Sequence, residues 1–260
     1  MSNLTQVELQ MANELLYNGL QHEGLYTLLD TLKPISSLGF PLSYPIAKAS
    51  EMKDGDKSVL TLASDSTQMA LSELTRWNKV LKNLSNEKLS FHLVPFKNIY
   101  QGKRNLQVLV VRRDLFEKKL TQNIKFFGQW GFTPTSDPAI VLTTLEFESR
   151  NDRYRAYGYL FGYPDHAVDF FVNASISEEE TGLFVTRDFF SMPVAVGRSG
   201  HFTYAIPKGY TPTKVDSSIY YSANARLSQY YSIKGKYSAS DKTDAVRLIS
   251  DYWSGKISRQ

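Results

Sequence analysis

The chain has 260 residues, 42% hydrophobic and 22% charged, with no cysteine and a formal net charge of +4. That balance fits a globular protein and excludes a disordered or fibrous one, while the missing thiols exclude disulfides, zinc–thiolate and iron–sulfur sites and a cysteine nucleophile. No apolar run reaches the roughly 20 residues that span a bilayer, and Met1–Thr5 has neither the basic start nor the apolar stretch of a signal peptide, so a cytoplasmic protein and a trimmed exported form both fit.

Thr5-Gln6-Val7-Glu8 has the spacing of a capping box, and Leu9, Ala12, Leu16 and Leu20 follow at helical intervals. Leu25–Leu32 predicts a short second helix that stops before Pro34, because the residue preceding proline is pushed out of the α region. Short strands are expected between residues 35 and 62, the clearest at Ser58–Leu62. Asp65 opens a helix whose stripe is Leu71, Leu74, Trp77, Leu81 and Leu84. Leu89–Phe96 alternates, with Leu89, Phe91 and Leu93 on one face and Ser90 and His92 on a solvated one. Asn105–Arg112 is a β-branched strand, and Gly102-Lys103-Arg104 between the two predicts a hairpin.

Asp114 is expected to cap a helix carrying Phe116, Leu120, Ile124 and Phe127, which Gly128 and Gly131 end. Asp137-Pro138 starts another, a further helix covers 152–161, and Gly162-Tyr163-Pro164 breaks it before a short helix at His166–Asn173. Three strands are predicted next, at Gly182–Asp188, Phe190–Val196 and His201–Pro207, then helices near Asp216–Tyr231 and Ser240–Trp253. Strict βαβ alternation is absent. The fold class is therefore α+β, a mixed or antiparallel sheet packed with several helices around one compact core. A single domain over 1–260 is expected, with a two-lobe division near 133–137, where composition and charge shift, as the alternative.

The familiar nucleotide-binding glycine loops, the His-Glu-x-x-His zinc motif and the Gly-x-Ser-x-Gly elbow are all missing. Four histidines remain as candidates for chemistry. His22 reads as a histidine at a helix C-terminus, and His92 as a solvated strand residue. His166 and Asp169 stand three apart on a helix face, a spacing that lets a carboxylate fix an imidazole tautomer. Arg187-Asp188, His201 and Lys208 would meet at one end of the predicted sheet. A candidate catalytic or ligand site in the C-terminal half is therefore His166, Asp169, Arg187, Asp188, His201 and Lys208. These would supply a base, an acid and anion-binding cations. A zinc or iron site from His166, His201 and one of Asp165, Asp169 or Asp188 is chemically reasonable, though no spacing requires it. The sequence leaves the cofactor open.

The alternative function lies in the first half. Arg76–Lys125 holds twelve basic and three acidic residues, and a merged patch would bind nucleic acid or an anionic membrane surface without catalysis. The tyrosines at 154, 157, 159 and 163 read as packing between helices. The sequence thus points to an enzyme or small-ligand-binding protein, with a non-catalytic binding module as the alternative.

Overall fold

The strongly β-branched segment sits where its composition directs it, at the centre of a sheet. In the computed structural model, which describes residues 3–46, 67–197, 202–239 and 242–257, β3 (Lys103–Arg112) is flanked by β1 (Ile35–Pro45) and β2 (Leu89–Tyr100), both antiparallel to it. Prolines fall only on the flanking strands, at Pro41, Pro45 and Pro95, because an edge strand can spare a ladder N–H and a central one cannot. The β2–β3 hairpin closes through Gln101-Gly102, both at positive φ (49° and 70°), the conformation that matches strand twist in a two-residue turn. The predicted strand Ser58–Leu62 lies outside the described residues.

Successive residues of β3 serve opposite faces. Val108 and Val110 join Leu16 and Leu20 of α1 (Gln6–Gln21) and Trp77 and Leu81 of α3 (Thr67–Leu84). Leu109 and Val111 join Phe116 of α4 (Arg113–Gln122), Leu142 of α6 (Pro138–Phe147) and Leu160 of α7 (Arg150–Leu160). A short helix, α5 (Ile124–Phe127), adds Phe127 to this second layer. Covering both faces corrects the expectation for His92. It is half-buried against Ser90 Oγ, 2.8 Å from its Nε2, and burial pushes its pKa down to about 4.

The C-terminal half follows the predicted helices more closely than the predicted strands. α8 (Asp165–Thr181) runs a further two turns beyond Asn173, until Gly182 ends it in the left-handed conformation. Residues 182–186 are not a strand, and only β4 (Arg187–Ser191) and β5 (Thr203–Pro207) pair. The three-stranded expectation is thus corrected to a two-stranded hairpin, which packs on α8. α9 (Lys214–Lys234) buries Ala223, Leu227, Tyr230 and Ile233, and α10 (Ala245–Trp253) lies against α1. Between them α2 (Leu25–Leu28) and the small β6 (Ser238–Ala239) and β7 (Lys242–Thr243) pair complete an α+β fold of antiparallel sheets packed against helices.

At the α7–α8 turn the backbone passes close to the residues before β1. Gly162 has φ +78°, and a Cβ there would lie 2.9 Å from the Leu32 carbonyl oxygen and 3.0 Å from Pro34 Cδ. Gly131, at φ +75°, has nothing within 4 Å of such a Cβ. Gly131→Ala is therefore expected to cost only the left-handed backbone term, about 1–2 kcal/mol. Gly162→Ala adds a clash with immobile backbone, for a total of about 3 kcal/mol. Urea denaturation of both variants checks this, and equal losses would show that the close approach to Leu32 carries no weight.

Candidate functional site

α7 carries Tyr154, Tyr157, Gly158 and Phe161 at the spacing i, i+3, i+4, i+7, which places them on one helix face. α8 presents Ala167, Val168 and Phe171 toward them. Gly158 allows the approach, since a Cβ there would meet Val168 Cγ2 at 2.8 Å. The hairpin adds Phe189 from β4 and Thr203, Tyr204 and Ala205 from β5, and Tyr163 closes the turn end. Together these residues enclose a cavity of about 330 Å³. Phe189 is 64% exposed and forms its solvent rim.

Three hydroxyls of this wall, those of Tyr157, Thr203 and Tyr204, are already engaged. Tyr157 donates to Glu146 Oε2 at 3.0 Å, and Thr203 Oγ1 lies 2.7 Å from Ser191 Oγ. Burial, reinforced by the neighbouring carboxylate, pushes the Tyr157 hydroxyl well above its ordinary pKa. Tyr204 donates to Asp216 Oδ1 at 2.6 Å. What the cavity offers a ligand is mainly ring faces and methyl groups.

Behind Tyr204 lies a saturated carboxylate. Thr213 caps α9, and Asp216 returns the bond in a capping box, accepting from the Thr213 amide and hydroxyl at 2.7 Å each. It also accepts from Tyr210 at 2.9 Å, and His166 Nε2 lies 3.1 Å from its Oδ1. Burial alone would raise its pKa, but the hydrogen bonds from Tyr204, Thr213 and Tyr210 outweigh it and hold the carboxyl at about 2. The same His166 Nε2 lies 3.1 Å from the Tyr210 hydroxyl, so one ring nitrogen faces both the carboxylate and the phenol. The imidazole stacks on Tyr210 and stands edge-on to Tyr204, with centroids 5.4 and 6.3 Å apart.

The six predicted residues do not gather in one shell. His166 pairs with Asp216 rather than with Asp169, whose partner is Arg155 at 2.5 Å. Asp188 takes Lys208 at 2.7 Å and the Gly209 amide at 2.9 Å, at the exposed end of the hairpin. Neighbouring strand residues point to opposite faces, and Arg187 turns instead to Glu178, with its guanidinium 4.5 Å from the Phe184 ring and 5.6 Å from that of Phe171. His201 lies outside the described residues, so the metal set that needs it does too. Among the described residues, no three histidine or carboxylate side chains are placed to hold a metal.

Several cations of the basic segment are likewise engaged internally. Lys79 pairs with Glu8 at 2.7 Å, Lys97 donates to the carbonyls of Phe147 and Glu148 at the end of α6, and Arg112 bridges Asp114 and the Asp30 carbonyl. No described helix is long and apolar enough to cross a membrane.

Comparison with known families, curated proteins and solved structures finds no match. The functional reading rests on geometry.

Asp216 yields a test in acid. Its folded pKa of about 2 lies below the ordinary 3.8. Its contribution is therefore complete above pH about 4 and is lost as pH falls through about 2. That contribution amounts to about 2 kcal/mol. Asp216→Asn should lower stability at pH 7 by about 2–4 kcal/mol and flatten the acid limb. Urea titrations between pH 2 and pH 5 measure both, and an unchanged acid limb in the variant would refute this role.

Proposed function

We propose that this protein binds a small, flat, largely apolar molecule in the cavity between α7, α8 and the β4–β5 hairpin. The observation that carries the reading is the aromatic lining that two helices and a hairpin share: Tyr154, Tyr157 and Phe161 from α7, Phe171 from α8, and Phe189 and Tyr204 from the strands, with the Tyr154 and Phe171 rings meeting edge-on at 5.0 Å. Concave, mostly aromatic walls with few polar groups are what ligand pockets of about 300 Å³ and upward present.

Two of the six candidate residues adjoin this wall. His166 stands edge-on to Tyr204, and Arg187 covers the Phe171 ring. Asp169, Asp188 and Lys208 are committed to ion pairs on the surface, where such pairs contribute little to stability and are open to solvent. The engaged cations of Arg76–Lys125 lend no support to the nucleic-acid or membrane reading.

Benzyl alcohol and 2-naphthol are suitable probes. Saturable binding is expected, with Kd between about 10 µM and 1 mM for ligands of this size, read by saturation-transfer NMR on the ligand. Phe171→Ala removes one wall and should weaken binding about tenfold or more. Absence of saturation at millimolar probe, or a Phe171→Ala Kd equal to that of the parent, would overturn the proposal.

A further inference from the structure

Lys33 is withdrawn completely from solvent, an unusual state for a cationic side chain. Its Nζ lies 2.9 Å from Glu23 Oε2, and that buried carboxylate is the counter-ion it faces. The rest of its surroundings are rings. The centroids of Phe202, Phe161 and Tyr163 are 4.4, 4.8 and 5.0 Å away. Phe161 and Tyr163 also line the cavity described above. The amine is therefore one ring's depth behind the pocket wall.

We propose that Lys33 forms an imine with small aromatic aldehydes or ketones that enter this pocket, and that Glu23 relays the protons. The proposal rests on the reading of the cavity as a ligand site and names the chemical class the site would take. A purely structural residue at this position is better served by methionine or leucine, which fill the same volume without the several kcal/mol that burying an ion costs. Lysines used as nucleophiles are those desolvated in apolar surroundings, because burial favours the neutral amine. Here burial does lower the pKa of Lys33, against the opposing pull of Glu23.

The step balances within the pair. The ammonium gives one proton to the Glu23 carboxylate, leaving a neutral amine and a carboxylic acid. The nitrogen lone pair then forms the C–N bond as the carbonyl π pair moves to oxygen, which takes the proton back from Glu23. Nitrogen returns a second proton to Glu23, giving the neutral carbinolamine. Glu23 protonates the hydroxyl, the C–O bond breaks, water leaves, and the nitrogen lone pair closes a protonated imine opposite the restored carboxylate. Carbonyl and ammonium become iminium and water, with no oxidant or reductant. Entry requires the Phe161 or Tyr163 ring to turn aside, a rotamer change common on ligand binding.

The experiment treats the full chain with benzaldehyde and cyanoborohydride at neutral pH, then maps the benzylated lysines by peptide mass spectrometry over time. Lys208 and Lys256, whose side chains are 70% and 71% exposed, are the internal references. Lys33 is expected to be labelled about tenfold faster or more, since exposed amines are almost wholly protonated at this pH. Benzyl alcohol, which fills the pocket without a carbonyl, should slow labelling at Lys33 and leave the references unchanged. Lys33→Met alone strands Glu23, so the paired Lys33→Met/Glu23→Gln variant is the control. It should bind benzyl alcohol with a Kd within about twofold of the parent and lose the fast label. Labelling of Lys33 no faster than the references, while benzyl alcohol still binds saturably, would overturn the imine role and leave the pocket intact. Failure of benzyl alcohol to bind would remove both. Fast labelling that benzyl alcohol does not slow, or that persists in the paired variant, would overturn entry through this pocket.

Discussion

A buried ammonium ion dictates how the two halves of this chain meet. Lys33 stands in the connection between α2 and β1, its counter-ion Glu23 comes from the residues just after α1, and two of its three rings come from the α7–α8 turn. Removing such an ion from water costs several kcal/mol even after relaxation. One carboxylate and aromatic faces worth about 0.5–2 kcal/mol each are what offset it. Those partners are distant in sequence, so the offset exists only when residues 32–34 and 161–163 are in register. Gly162 makes that register possible by letting the turn lie against the Leu32 carbonyl.

Much of the fold is legible in the residues themselves. The capping boxes at Thr5 and Asp137's cap before Pro138 announce helix starts because each satisfies orphan amides locally. Val108–Val111 announces a central strand. Legibility fails where the deciding contact is distant. Ser90 and His92 look like a wet face, and only the arrival of α6 across the sheet buries them. Leu183 and Phe184 look like strand residues, yet they stand 72% and 69% exposed after the glycine that ends α8. Their β propensity has no partner strand to act on.

The site was harder to see for a related reason. A search for chemistry looks for histidine, carboxylate and arginine close in sequence, and such groups at His166/Asp169 and Arg187/Asp188 find their partners elsewhere. Asp216, the carboxylate that does hold His166, is 50 residues away and is visible in sequence only as the start of a helix. The wall of the cavity reads in the sequence as packing between helices. Tyr154, Tyr157 and Phe161 recur at helical spacing, a pattern that packing and ligand binding share. Gly158 in the same face lets α7 approach Val168 of α8 closely at that point.

Tyr204 belongs to both worlds, its ring in the cavity and its hydroxyl on the carboxylate that starts α9. A shared side chain makes the two equilibria thermodynamically linked, and linkage is reciprocal. Whatever fills the cavity and prefers one placement of that ring must also favour or disfavour the first turn of α9, which is 21 residues long and runs back to the α10 side of the molecule. If the cavity takes the ligand proposed for it, occupancy would be transmitted, through a single phenol, to the rigidity of the longest helix among the described residues.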